Sequence, residues 1–201
     1  MVDNLTKQKE EMAKFQEAEM LKHLDLKYKN EIIRSMEWLG EKEDTIFLGQ
    51  SVKYSGNAMY NTTKTISEDK LVELPVFEEI QMGMSTGMAL EGLVPISCFP
   101  RFDFLMRCMD ALVNHLDKMQ VMTEEIFKPK VIMRTSIGST NPLNGGVQHT
   151  NNYTEPFKQI LTEVDVVLLN EPEEIFPAFE SAYEREGSSL IIEWGDYYNE
   201  K

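Results

Sequence analysis

A chain of 201 residues has the length of one ordinary domain, and 42% hydrophobic with 27% charged residues is a globular composition that excludes a disordered or collagen-like chain. The 34 acids against 20 bases leave a net charge of −14, which opposes the phosphates of nucleic acid and of anionic membrane surfaces alike. No run of about 18 apolar residues occurs, so no membrane-crossing helix is expected, and Cys98 and Cys108 are too few for a disulfide framework or a four-thiolate metal site.

Residues 5–22 carry a thin helical stripe, Met12, Phe15, Ala18 and Leu21, and read as an N-terminal helix lying on the body or on a partner. The seven residues from Met1 to Lys7 lead into charge rather than an apolar signal core, so the cysteines read as reduced thiols and the protein as cytoplasmic. A second helix is predicted from Tyr28 to Leu39, with Ile32, Ile33, Met36 and Leu39 as its apolar face and Gly40 as a C-cap. Thr45 to Gly49 reads as a buried strand, 50–66 as a surface loop, and Leu71 to Pro75 as a second short strand. A helix over 79–91 precedes a strand from Leu93 to Phe99, and 103–119 reads as a long amphipathic helix. Strands at Lys130–Arg134, Asp165–Leu169 and Ser189–Trp194 complete the chain, with a polar loop over 136–153 and a helix over Glu173–Glu184. Strands that are nearly continuous apolar runs, alternating with helices, predict an α/β domain of about six mostly parallel strands covered by helices on both faces.

The chemistry is concentrated between Pro75 and Met88. Glu78 stands at a strand-to-helix junction directly after Val76 and Phe77, and an apolar setting there would disfavour its charged form. Gly83 and Gly87 lie one turn apart on the following helix, at a cost of roughly 1 kcal/mol each relative to alanine. Close approach of another helix explains them, whether inside the domain or from a partner; Glu78 alone could serve merely as a carboxylate at a helix N-terminus.

Glu78 followed by Gly83 and Gly87, each glycine trailed by a methionine, resembles the pyrimidine-domain motif of thiamine diphosphate enzymes. The surrounding chain is similar to beta subunits of the decarboxylating component of 2-oxo acid dehydrogenases, in the transketolase-like superfamily. Tyr28 to Arg34, Phe47-Leu48-Gly49, Tyr54-Ser55-Gly56, Gly92 to Ile96, Phe102-Asp103-Phe104, Asp110, Asn114, Lys118 and Gln148-His149 carry the likeness in unbroken order. It divides the chain into an N-terminal helical extension, 1–25, and a pyrimidine-binding domain, 26–201.

The resemblance implies specific roles. Glu78 would hydrogen-bond a ring nitrogen of the cofactor's aminopyrimidine and favour the imino form that takes the proton from the thiazolium carbon. Phe104, with Phe102 as competitor, would stack on the pyrimidine, Gln148 would sit in the cofactor loop, and His149 would face the reacting end and steady a substrate carboxylate or move protons. Glu79 falls outside the motif and reads as a solvent or interface residue. Gly83 and Gly87 would form an interface with a partner's equivalent helix.

Departures from the family accompany the likeness. Gln50-Ser51 stands where an acidic pair is usual, Phe77 where a small residue is, and Ile80 where glycine is common. No Gly-Asp-Gly occurs, so the diphosphate and Mg²⁺ are expected on another chain and no metal ligand on this one. The expected function is the pyrimidine-domain subunit of a thiamine diphosphate-dependent enzyme acting on a 2-oxo acid, inactive alone, in a homodimer or hetero-oligomer. A transketolase-like half-enzyme and a non-catalytic assembly or regulatory module that kept the fold are the alternatives.

Overall fold

The computed structural model describes residues 27–141 and 143–200; the helix read at 5–22 lies outside them. The elements are α1 (Tyr28–Gly40), β1 (Thr45–Gly49), α2 (Tyr60–Thr63), β2 (Leu71–Glu73), α3 (Glu78–Leu90), β3 (Val94–Phe99), α4 (Phe102–Leu105), α5 (Asp117–Met122), β4 (Ile132–Ile137), α6 (Thr154–Ile160), β5 (Asp165–Leu168), α7 (Pro172–Glu184), β6 (Ser189–Trp194) and α8 (Tyr197–Glu200). All strand pairs are parallel, in the order β2-β1-β3-β4-β6-β5. The α/β architecture expected from the strand–helix alternation is therefore present, with helices on both faces.

Alternate strand residues feed two cores. On one face Ile96, Cys98, Ile132 and Ile191 pack with Tyr28, Ile32, Met36 and Leu39 of α1 and Ile175 and Phe179 of α7. On the other, Phe99, Met133, Leu190 and Ile192 pack with Met82 of α3, Phe102 and Leu105 of α4, Leu112 and Leu116, and Phe157 of α6. Helix α7 starts with Pro172 at its first turn behind a Glu171–Glu174 capping box. Both thiols are buried, and burial first of all pushes each up to about 12, so neither is a nucleophile at neutral pH.

Three expectations change. The helix read over 103–119 is α4, a 3₁₀ turn at Met106–Cys108, a π-helical stretch at Asp110–Leu116 and then α5. Strand β4 extends past Arg134 to Ile137, because Thr135, Ser136 and Ile137 pair with β6. The stretch 50–66 is not purely surface: Val52, Met59, Thr62, Thr63 and Ile66 are buried, and α2 lies inside it.

Three buried charges tie distant segments. Asp117 accepts hydrogen bonds from the backbone N–H groups of Thr162 (2.9 Å), Glu163 (2.9 Å) and Val164 (3.0 Å) and from Lys118 Nζ (2.7 Å). Burial alone would raise its pKa, but these donors outweigh it and hold the carboxyl below the usual range. Arg134 and Glu193, both fully buried, pair between β4 and β6 through Nε and Oε1 and through Nη2 and Oε2 at 2.9 Å. The Tyr198 hydroxyl of α8 donates to Glu193 and accepts from Arg134 Nη2 at 3.1 Å.

Candidate functional site

Strand β1 has β2 on one side and β3 on the other, so the chain's winding reverses there and a crevice opens beyond the carboxyl ends of β1 and β3. Its floor needs a glycine: Gly49 has φ +148°, and a Cβ on it would collide with the Cys98 carbonyl oxygen. Gln50 and Ser51 follow at once. Ser51 itself has φ 57°, and the Glu73 carboxylate at the end of β2 holds this turn by accepting the N–H groups of Ser51 (2.6 Å), Val52 (2.9 Å) and Lys53 (2.8 Å).

Two adjoining cavities fill the crevice. One, of about 300 Å³, is lined by Gln50, Val76, Glu78, Phe104 and Arg107. The other, of about 310 Å³, is lined among others by Gln50, Asn57, Arg101, Phe104 and His149. They share Gln50 and Phe104, and their size suits a small ligand.

Glu78 is the first residue of α3 and only 5% exposed. Its burial does not come from its neighbours in sequence: Val76 and Phe77 are 63% and 52% exposed, against expectation. Gln81, one turn on, seats α3 against β1 and β3 by donating Nε2 to Ser97 Oγ and the Cys98 carbonyl, both at 3.0 Å. Glu78 Oε2 is buried and has no hydrogen-bond partner. Arg107 Nε stands 3.5 Å from it, an ion pair without hydrogen-bond alignment, on a side chain that is 72% exposed.

Phe104 sits between the cavities and meets the His149 ring edge-to-face at 5.5 Å. The His149 Nδ1 is buried and unpartnered. Gly138, just after β4, makes room for this loop, since a Cβ there would collide with the His149 carbonyl oxygen. Asp103 steadies the loop from the other side, accepting from Asn151 Nδ2 at 2.6 Å and the Tyr153 hydroxyl at 3.2 Å.

Glu78, Phe104 and His149 thus converge on one crevice. Phe102 does not join them: it is fully buried against Tyr153 and Phe157, one edge-on at 5.5 Å and one tilted at 5.0 Å, so it belongs to the core. Gln148 is exposed and lines neither cavity, and Glu79 is exposed. Gly83 and Gly87 face outward with nothing within 4 Å of a Cβ, so no helix of the described residues packs on them. Met82 of that helix is in the core rather than on its surface. Arg101 and Arg107 went unnoticed in the sequence, where an isolated arginine reads as a solvated charge; Gln50 was visible only as a departure from the family pattern.

Residues 33–194 match the family model described as transketolase, pyrimidine binding domain. The chain belongs to this family. The match contains every residue lining the two cavities. This transketolase-type pyrimidine-binding domain is 29% identical over 123 residues to the mitochondrial pyruvate dehydrogenase E1 component subunit beta of Saccharomyces cerevisiae, covering 59% of this chain and 32% of that one. It is 25% identical over 134 residues to the 3-methyl-2-oxobutanoate dehydrogenase subunit beta of Mycobacterium tuberculosis, covering 65% and 37%. The chain spans about a third of the length of these curated relatives. Among solved structures, a split-gene transketolase described as an inactive beta4 tetramer superposes with a TM-score of 0.63 at 17% identity, over 83% of this chain and 51% of that one. The domain is accordingly a pyrimidine domain of the thiamine diphosphate type, similar to 2-oxo acid dehydrogenase beta subunits, as its sequence motifs imply. No helix of the described residues is long and apolar enough to cross a membrane.

Proposed function

We propose that this chain is the pyrimidine-domain subunit of a thiamine diphosphate-dependent enzyme acting on a 2-oxo acid, by decarboxylation and acyl or aldehyde transfer, with a separate chain holding the diphosphate and Mg²⁺. The observation that carries this reading is the buried, unpartnered Oε2 of Glu78 in a cavity walled by Phe104. A buried carboxylate oxygen without a hydrogen bond costs roughly 1–3 kcal/mol, and an aminopyrimidine ring nitrogen sharing a proton with it would relieve it. The residues present therefore fit the cofactor's pyrimidine half.

When bound, thiamine diphosphate supplies a carbon acid that adds to a carbonyl. Glu78 holds and shares a proton at the ring nitrogen. Phe104 offers its ring to the pyrimidine and excludes water from it. His149, edge-on to Phe104, lines the second cavity and would steady a substrate oxygen or move protons there. Arg107 must leave Glu78 for the ring to enter, which its exposed side chain permits.

That same ion pair favours a second reading, a non-catalytic assembly or regulatory module, because it fills the place of a cofactor contact. The fold likeness to a split-gene transketolase supports a transketolase-like half-enzyme as a variant of the first. In all of these, the outward face of α3, with exposed Phe77 and Ile80 beside Gly83 and Gly87, is where a partner's helix packs. The division into a helical extension, 1–25, and this domain belongs to the same proposal.

Calorimetric titration with thiamine diphosphate and Mg²⁺, paired with light scattering, tests it. The chain alone is expected to self-associate and to bind weakly or not at all, since it supplies only one wall of the site. Adding a chain that carries the Gly-Asp-Gly diphosphate motif is expected to produce tight binding. Micromolar binding by a strict monomer would overturn the proposal.

A further inference from the structure

We propose that Arg101 is the anchor for the carboxylate of the substrate, at the His149 end of the crevice; the inference deepens the cofactor reading above and rests on it. Arg101 lines the second cavity beside His149, Asn57, Ser51 and Gln50, and no carboxylate lines that cavity. Among the described residues its one side-chain hydrogen bond runs from Nη1 to the carbonyl oxygen of its neighbour Pro100, at 3.3 Å. Among the described residues no Asp or Glu forms an ion pair with it, although acids outnumber bases 34 to 20. Arg34, Arg107 and Arg134 have carboxylate partners, and Arg185, which has none among the described residues, donates instead to the Ser188 carbonyl at 2.6 Å and the Ser189 hydroxyl at 3.3 Å. A half-buried guanidinium with most of its five donors unused, in so acidic a chain, is arranged for an anion from outside.

The backbone keeps Arg101 in place. A Cβ on Gly138 would lie 3.2 Å from Arg101 Cδ and would also strike the His149 carbonyl. The bare glycine at the end of β4 therefore lets the arginine stem and the His149 loop lie side by side. The His149 imidazole adds a second polar group at that end. Electrostatics orient the ligand. Arg101 attracts a carboxylate, and its planar fork matches two carboxylate oxygens at once. A 2-oxo acid so held directs its carbonyl toward the shared wall, Phe104.

Nuclear magnetic resonance titrations of the full chain, without thiamine, test this with pyruvate, uncharged methyl pyruvate and inorganic phosphate. Pyruvate is expected to bind saturably in the millimolar range and to shift the His149 ring signals, and methyl pyruvate is expected not to compete. Arg101→Gln is expected to weaken pyruvate by at least about tenfold, and Arg101→Lys, which keeps the charge and loses the fork, by less. Lys158→Gln, far along the surface of α6, is expected to change nothing. Equal pyruvate affinity in wild type and both Arg101 variants overturns the inference, as does absence of pyruvate binding. Arg101-dependent phosphate binding that exceeds pyruvate overturns the carboxylate assignment. The thiamine titration fails or succeeds independently of these outcomes, so the two readings fall separately.

Discussion

Glu78→Gln is expected to leave the fold intact and to cut turnover of the reconstituted enzyme by about 10²–10⁴-fold, the usual range for a lost acid–base group. The amide keeps the size of the side chain and can still hydrogen-bond, but it cannot carry the proton. Steady-state kinetics with the partner chain present would measure it. Arg107→Gln provides the contrast. It removes the cation 3.5 Å from Glu78 Oε2 without touching the proton-bearing group, so turnover is expected to stay within a few-fold of wild type. Wild-type turnover in Glu78→Gln would remove Glu78 from the chemistry.

The largest stability effect is expected in the middle of the sheet. Glu193→Ala strands the Arg134 charge at a position with no solvent exposure, and breaking a buried pair in this way costs about 3–5 kcal/mol. At about 2–4 °C per kcal/mol for a domain of this size, the melting temperature should fall by roughly 6–20 °C. Arg134 Nη1 already lacks a partner, and Tyr198 of α8 would lose its acceptor, so the loss should extend to the packing of α8. The double change Arg134→Met with Glu193→Leu removes both charges and is expected to recover most of the stability. Chemical denaturation of the wild type and the two variants checks this. A loss below about 1 kcal/mol in Glu193→Ala would contradict the role assigned to the pair.

Much of this architecture was legible because buried parallel strands announce themselves. Thr45–Gly49 and Ser189–Trp194 are apolar runs closed by turns or by the chain's polar flanks, and both strands begin and end where the pattern does. Strand β4 was misplaced because Arg134 looks like a strand end. Only Glu193, 59 residues away, makes a buried arginine there tolerable. Helix α2 hid in a polar stretch because Thr62 and Thr63 are buried by satisfying their hydroxyls on backbone carbonyls, at 2.6 and 2.9 Å, rather than by being apolar. Helix α6 has a proline and a single fully buried aromatic, and just before it Asn152 Oδ1 accepts the Thr154 N–H at 2.9 Å, a local turn with weak sequence signal.

The site divides in the same way. Glu78 was singled out from motif spacing and His149 from the Gln148-His149 dipeptide, neither of which needs knowledge of packing, and the structure brings both to the crevice. Phe102 and Phe104 could not be ranked from the sequence. Two residues apart at the start of a helical turn, they point to different sides, one into the core and one into the crevice. Arg101 and Arg107 acquire meaning only when β3's carboxyl end meets the loops after β1, β2 and β4. Val76 and Phe77 were read as the apolar cover of Glu78, yet they turn outward, and α3's seat on the sheet through Gln81 does the burying instead.

Exchange of the thiazolium proton of thiamine diphosphate for deuterium, followed in the reconstituted chain pair, reports on Glu78 before any substrate is involved. With cofactor affinity retained, Glu78→Gln is expected to slow that exchange by at least about 10²-fold relative to wild type. Exchange at the wild-type rate in the variant would contradict the assignment of Glu78 as the group that activates the aminopyrimidine.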